Sequence, residues 1–144
     1  MKFLLTKIPT QLTANVGLFY VAYELAKRGW NVMPTSRNAK GPDMFIYSQL
    51  GKTRHSVQVK ATTNKRQIPV GSNIDNFRMS DFVIICVNAY SKSIELFIAN
   101  ADKIAVKITN AKKGTSDKGY YINHEEYTKY KDNWEILGDG RDKP

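Results

Sequence analysis

Apolar residues recur at helical spacing between positions 10 and 28, and in short blocks after position 43. Val16, Phe19, Tyr20, Tyr23 and Ala26 repeat every three to four residues, and Val21, Ala22 and Leu25 widen that face, which predicts a helix from Thr10 to Arg28. Thr10 and Thr13 are its expected N-caps, Lys27 and Arg28 suit its C-terminal dipole, and Gly29 ends it. Short strands are predicted at residues 30–34, Met44 to Tyr47, and Ser56 to Ala61 with valines at alternate positions. The stretch 48–54, with Gly51, reads as the turn between the last two. Residues 62–81 are polar and basic, broken by Pro69 and Gly71, and read as a long loop holding at most a short helix. Phe82 to Val87 is apolar throughout, as an inner strand should be, and Ile94 to Ala99 is its expected partner. Beyond these come a short helix at 101–109, a polar loop at 110–118, an edge strand at 120–122, a helix at 125–131, and Trp134 to Leu137 closing the core. The order predicts an α/β fold with a mixed sheet, one domain over residues 1–137 and a flexible tail over 138–144.

Composition narrows the class. The 144 residues suffice to bury a core without disulfides, and the single cysteine, Cys86, falls inside the apolar run as a core residue would. The start MKFLLTKIP is too short in apolar residues for a secretory signal, and no run is long enough to span a membrane, so a cytoplasmic protein with no membrane partner is expected.

Charge alters the picture more. Residues 1–72 hold 11 Lys and Arg but only two acids, Glu24 and Asp43, whereas residues 73–144 hold 11 of each sign. The whole net charge of +9 therefore belongs to the first half, which favours a polyanionic partner, nucleic acid before others. A surface charged only for solubility would mix both signs.

One of those acids opens the predicted hairpin and Lys60 closes it. Side chains two apart on a strand share a face, so Gln58 and Lys60 point together, opposite Val57 and Val59. With the turn centred near Gly51 and Lys52, Asp43 falls beside Lys60 and diagonal to Gln58. A carboxylate, an amide oxygen and an ammonium then meet at one end of the hairpin. Magnesium takes oxygen ligands, and Asp43, Gln58 and the Val59 carbonyl each offer one. Lys60 can steady charge on a phosphate or orient a water.

At these residues the chain resembles the PD-(D/E)xK nuclease superfamily. Pro42-Asp43 matches the leading pair and Gln58-Val59-Lys60 the trailing triplet, in a Q-x-K form similar to Mrr-type restriction enzymes and some homing endonucleases. The resemblance implies a restriction-endonuclease-like core, an N-terminal helix followed by a central mixed β-sheet flanked by helices. It implies a metal-dependent DNA endonuclease using Mg²⁺ or Mn²⁺, with Asp43, Gln58, Lys60 and Glu24 catalytic and Asp43, Gln58, Val59 and Glu24 holding metal. Glu24 enters by its place on the first helix, where the superfamily often carries a glutamate. A homodimer is implied by analogy, since two sites address two strands. Arg37, Lys40, Lys65 and Arg66, in the loops on either side, are the expected phosphate contacts.

Structural readings stand beside these. Gly41-Pro42-Asp43 is also an ordinary turn, Gln58 and Lys60 also suit the wet side of a half-buried strand, and Glu24 could simply pair with Lys27 or Arg28. His55 reads as a surface histidine that could touch phosphate. Two alternatives to an enzyme follow: a nuclease-fold module that binds nucleic acid without turnover, and an interaction protein whose basic face meets an acidic partner.

Overall fold

The structure is a computed structural model, and it describes residues 7–36, 39–71, 73–110 and 119–143. Helix α1 spans Thr10–Lys27, and strands follow at Asn31–Pro34 (β1), Met44–Tyr47 (β2), Arg54–Ala61 (β3), Ile68–Gly71 (β4), Phe82–Val87 (β5), Glu95–Asn100 (β6), Ile108–Asn110 (β7) and Tyr120–Ile122 (β8). Short helices lie at Ile74–Phe77 (α2), Ala101–Ala105 (α3) and His124–Tyr127 (α4), with 3-10 turns at Thr128–Tyr130 and Trp134–Leu137. No helix among the described residues is long and apolar enough to cross a membrane.

The central sheet runs β1-β2-β3-β5-β6, with β3 and β5 parallel and the other neighbours antiparallel. Every residue of β5 is buried because both its faces are covered. Phe82, Ile84 and Cys86 join Val21, Leu25, Met44, Ile46 and Val57 in the core beneath α1. Val83, Ile85 and Val87 join Ile68, Phe77, Phe97, Ile104, Ile122 and Tyr127 in a second core, under the small sheet β4-β8-β7 and the short helices. Burial pushes the Cys86 thiol up to about 12. Only the thiolate reacts, so Cys86 is expected to resist alkylation at pH 8 in the native protein and to react fully in guanidinium; a mass spectrum of iodoacetamide-treated protein checks this.

The helix sits rotated from the face its large apolar residues mark. Its buried stripe is Thr13, Gly17, Val21 and Leu25, while Phe19 and Tyr23 are 69% and 59% exposed. The cause is close packing on β3: a Cβ at Gly17 would collide with the Cβ of Ala61. Small residues face the sheet so that helix and strand can approach. The expected threonine caps are also absent. Pro9 holds the N-cap position without a side-chain bond, and the Thr13 hydroxyl lies 3.2 Å from the Tyr90 hydroxyl.

Three other expectations change. The stretch expected as a long loop holds β4 as well as α2, and β8 is the middle strand of the small sheet rather than an edge. The segment 138–143, expected as a flexible tail, is tied across the sheet end. The Gly140 carbonyl accepts from Gln49 N–H at 2.8 Å, Arg141 donates to the Lys27 carbonyl at 3.1 Å, and an Asp142 oxygen accepts from Leu50 N–H at 2.7 Å. The polar loop 110–118 lies, beyond its first residue, outside the described residues.

Candidate active site

Hairpin β2–β3 turns through residues 48–53, where Ser48 N–H reaches the Thr53 carbonyl at 2.9 Å and Gly51 takes a φ of 69°. That turn pairs Met44 with Val57 and Tyr47 with Arg54, two residues offset from the expected register. A shift of two keeps every side chain on its face but moves it along the strand. Asp43 therefore extends the ladder opposite Gln58 rather than beside Lys60.

Alternation fixes which side these residues occupy. Met44 and Ile46 are buried under α1, so Phe45 and Tyr47 belong to the other face, while Asp43, one step before the strand, sits at the sheet end. Phe45 pairs with Ser56, which makes that the face of Ser56, Gln58 and Lys60. The end of the strand adds one contact across the backbone. Asp43 N–H donates to the Val57 carbonyl at 2.9 Å, and Asp43 Oδ2 accepts from Val59 N–H at 2.7 Å. The carboxylate thus takes the position that the next residue of β2 would fill. A residue's N–H and C=O leave a strand on the same edge, so the Val59 carbonyl also projects toward the Asp43 edge.

The electrostatics of the pair work against charge. Burial pushes the Asp43 carboxyl above its usual range, with the Val59 hydrogen bond and the Lys60 charge pulling back. Burial likewise pushes Lys60 below the usual lysine range, and the Asp43 charge opposes it. Each ion relieves the other, yet they form no ion pair within 4.0 Å. Beside them Gln58 Oε1 is buried and has no hydrogen-bond partner. An unpartnered buried carbonyl costs about 1–3 kcal/mol, so this oxygen would gain from a donor or a cation.

Asp43 and Val59 open on a cleft of about 300 Å³ whose far wall is α1, with Gln11 and Asn15, and whose rim is the 35–39 segment, with Thr35 and Ser36. Gln11 Nε2 donates to Asn15 Oδ1 at 3.2 Å. These residues were not legible as site residues in the sequence. The available signal was a pair of amides one helical turn apart near the start of the helix, which is weak by itself.

Glu24, expected as a metal ligand, does not line this cleft. It stands nine residues after Asn15, about 13 Å further along α1. There its carboxylate binds Arg28 at 2.6 Å and Lys27 at 3.6 Å. Arg28 in turn lies 3.8 Å over the Trp134 ring. Burial pushes the Glu24 carboxyl up, but hydrogen bonds from Arg28 and Tyr20 and the Lys27 charge more than offset it, leaving it below the ordinary value. A lowered carboxyl contributes stability above its unfolded-state pKa and loses it as pH falls through the folded one. Glu24→Gln is accordingly expected to lower the Tm at pH 7, with the gap closing in melts below the usual carboxylate range.

The expected phosphate contacts divide. Lys40 is exposed beside Ala39 at the rim of the cleft, and Arg66 is exposed after β3. Lys65 is committed to Glu95 at 3.5 Å, a carboxylate that Lys131 also binds at 3.1 Å. Arg37 lies outside the described residues. His55 is a structural residue: its ring meets Trp30 at 5.6 Å and Phe82 at 4.8 Å, and Nε2 lies 2.8 Å from the Leu137 carbonyl. Among the described residues, no group of three or more His, Cys, Asp or Glu side chains is placed to hold a metal ion.

No protein-family model matches the chain, and no curated protein matches it. Solved structures do. A bacterial homing endonuclease matches over 90% of this chain and 93% of its own, at 14% identity and a TM-score of 0.61. The Holliday junction resolvase Hjc of the archaeal hyperthermophile Archaeoglobus fulgidus matches over 88% of this chain and 96% of its own, at 13% identity and a TM-score of 0.58. This chain shares the mixed α/β fold of these two nucleases, an N-terminal helix with a central mixed sheet.

Proposed function

We propose that this chain is a metal-dependent DNA endonuclease that hydrolyses phosphodiester bonds at Asp43, Gln58, Val59 and Lys60. The observation that carries the reading is the buried, unpartnered Gln58 Oε1, on the β3 face it shares with Lys60, whose charge acts on Asp43. That oxygen suits a hard cation, and so do the Asp43 carboxylate and the Val59 carbonyl, which together would hold Mg²⁺ or Mn²⁺. The ion, when bound, supplies Lewis acidity at the phosphate and a lowered pKa for an attacking water.

The chain's own residues do the rest. Asp43 is oriented by Val59 N–H, so its free oxygen is aimed before substrate arrives. The Lys60 ammonium would donate to a phosphoryl oxygen as charge builds in the transition state. Its lowered pKa also lets it exchange a proton with the attacking water more readily than an exposed lysine would. Lys40 and Arg66, exposed on the loops before and after the site, would neutralise neighbouring phosphates. Cutting both strands of a duplex needs two such sites, which a homodimer would supply.

Plasmid, single-stranded and branched DNA, incubated with Mg²⁺ or Mn²⁺, test the reading. Cleavage is expected to stop on addition of EDTA and to fall about 10²- to 10³-fold in Lys60→Ala. Cleavage of no substrate, or an unaffected Lys60→Ala, sinks it. A second reading is favoured by the lone carboxylate of the site: a nuclease-fold module that binds DNA without cutting it. Salt-sensitive DNA binding with no metal uptake in any state would select that reading.

A further inference from the structure

Helix α1 carries a second apolar stripe, on the side away from the sheet. Leu12, Val16, Phe19, Tyr23 and Ala26 follow one another at intervals of four, three, four and three residues. At 3.6 residues per turn their directions span about 80°, on the side opposite the buried Thr13, Gly17, Val21 and Leu25. Leu12, Phe19 and Tyr23 are 39%, 69% and 59% exposed, Ala26 is exposed and Val16 is half-buried. A helix lying on a sheet normally turns polar residues outward. This one packs its small residues on the sheet and leaves its large apolar ones free.

Spacing and charge together say what would cover them. Alternating intervals of four and three form the seam along which one helix packs on another at a shallow angle, and about 21 Å of seam is available here. Charge selects the helix. Residues 1–72 hold 11 Lys and Arg against two acids, so two copies repel each other over most of this half. Helix α1 is the exception. Glu24 and Lys27 are its only charged residues, and they pair with each other at 3.6 Å. The stripe offers no cation to a nucleic acid or an acidic protein, and two copies can meet on it without like charges facing.

We propose that the outer face of α1 is the contact face of a homodimer, packed antiparallel on α1 of a second copy about a twofold axis. Such an axis brings one patch against itself. Leu12 then meets Tyr23 of the second copy and Val16 meets Phe19, each pair twice, and the two helix dipoles are opposed favourably. This gives a face to the homodimer named above, and it stands whether or not the chain cuts DNA.

Sedimentation velocity of the full chain from about 1 to 200 µM tests it, with a reversible dimer of micromolar dissociation constant expected. Phe19→Glu should weaken that dimer about a hundredfold or more, because the ring enters the middle of the seam twice. Its far-UV circular dichroism should match wild type, since position 19 is mostly exposed and glutamate is a good helix former. Phe45→Glu, on the outer face of β2, removes an apolar residue that is 49% exposed and should leave the dimer intact. Leu12→Cys protein mixed with Tyr23→Cys protein should form a mixed disulfide on oxidation while neither links to itself, the native Cys86 being buried. A chain that stays monomeric, a dimer that Phe19→Glu leaves intact, or a dimer that Phe45→Glu dissociates overturns the proposal. Self-linked cysteine variants show a parallel pair and overturn it too. So does a monomer that binds anionic lipid vesicles through the stripe, losing them in Phe19→Glu. Cleavage by Lys60→Ala bears on the nuclease reading alone.

Discussion

Asp43→Asn is expected to lose DNA cleavage by about a thousandfold or more while melting at the same temperature as wild type or higher at pH 7. The loss follows from removing the one carboxylate of the site. A cation's stabilisation of a phosphoryl transition state is worth several kcal/mol, and about 4 kcal/mol is a thousandfold in rate. The stability half follows from the direction of the Asp43 shift. Its carboxyl is pushed up by burial, so the folded state holds the proton more tightly than the unfolded chain does. A group shifted this way contributes stability below its unfolded pKa and loses it as pH rises through the folded pKa. At neutral pH the ionised Asp43 therefore weighs against folding. Asparagine keeps an oxygen for the Val59 N–H and removes the charge. Melts across pH should show the two proteins together in acid, diverging in favour of Asp43→Asn as pH rises past the carboxylate range. A variant that both cuts and melts like wild type would show Asp43 to be a turn residue and nothing more.

Gly17→Val is expected to destabilise the protein by about 3 kcal/mol, from overpacking and the lower helix propensity of a β-branched residue. In a chain of this length that is a Tm lower by about 10 °C. Gly17→Ala makes the sharper test because two principles disagree about its sign. In an open helix interior alanine is better than glycine by about 1 kcal/mol. Here its Cβ would collide with the Ala61 Cβ, one residue past Lys60 on β3, so a loss is expected. Ala61→Gly in the Gly17→Ala background should restore part of that loss, and a double-mutant cycle by urea unfolding measures it. A stabilised Gly17→Ala would mean that α1 does not approach β3 so closely.

The same contact explains what the sequence could and could not reveal. Strands β2, β3 and β5 were legible because their side chains alternate or stay apolar between clear turns, and Gly51 marked the hairpin. With the hairpin came Asp43, Gln58 and Lys60 at one end of it. The buried face of α1 was not legible because Thr13 and Gly17 carry it, while the larger Phe19 and Tyr23 face outward. Strand β4 was hidden by Pro69 and Gly71, although Ile68 and Val70 alternate inward around Pro69. Glu24 misled for a related reason: a helical carboxylate can be read from sequence, but the turn that faces the cleft cannot, and that turn carries Gln11 and Asn15. Its pairing with Arg28 and Lys27 was the plainer of the two readings available.

The proposed activity requires a cation site made by Asp43, Gln58 and the Val59 carbonyl, with Lys60 beside it. Anomalous scattering from crystals grown with Mn²⁺ and a DNA strand tests that directly. It should give a peak about 2.0–2.6 Å from an Asp43 carboxylate oxygen and from Gln58 Oε1, with a phosphoryl oxygen completing the shell. A well-ordered DNA strand with no peak at Asp43, or a peak at Glu24 instead, would contradict it.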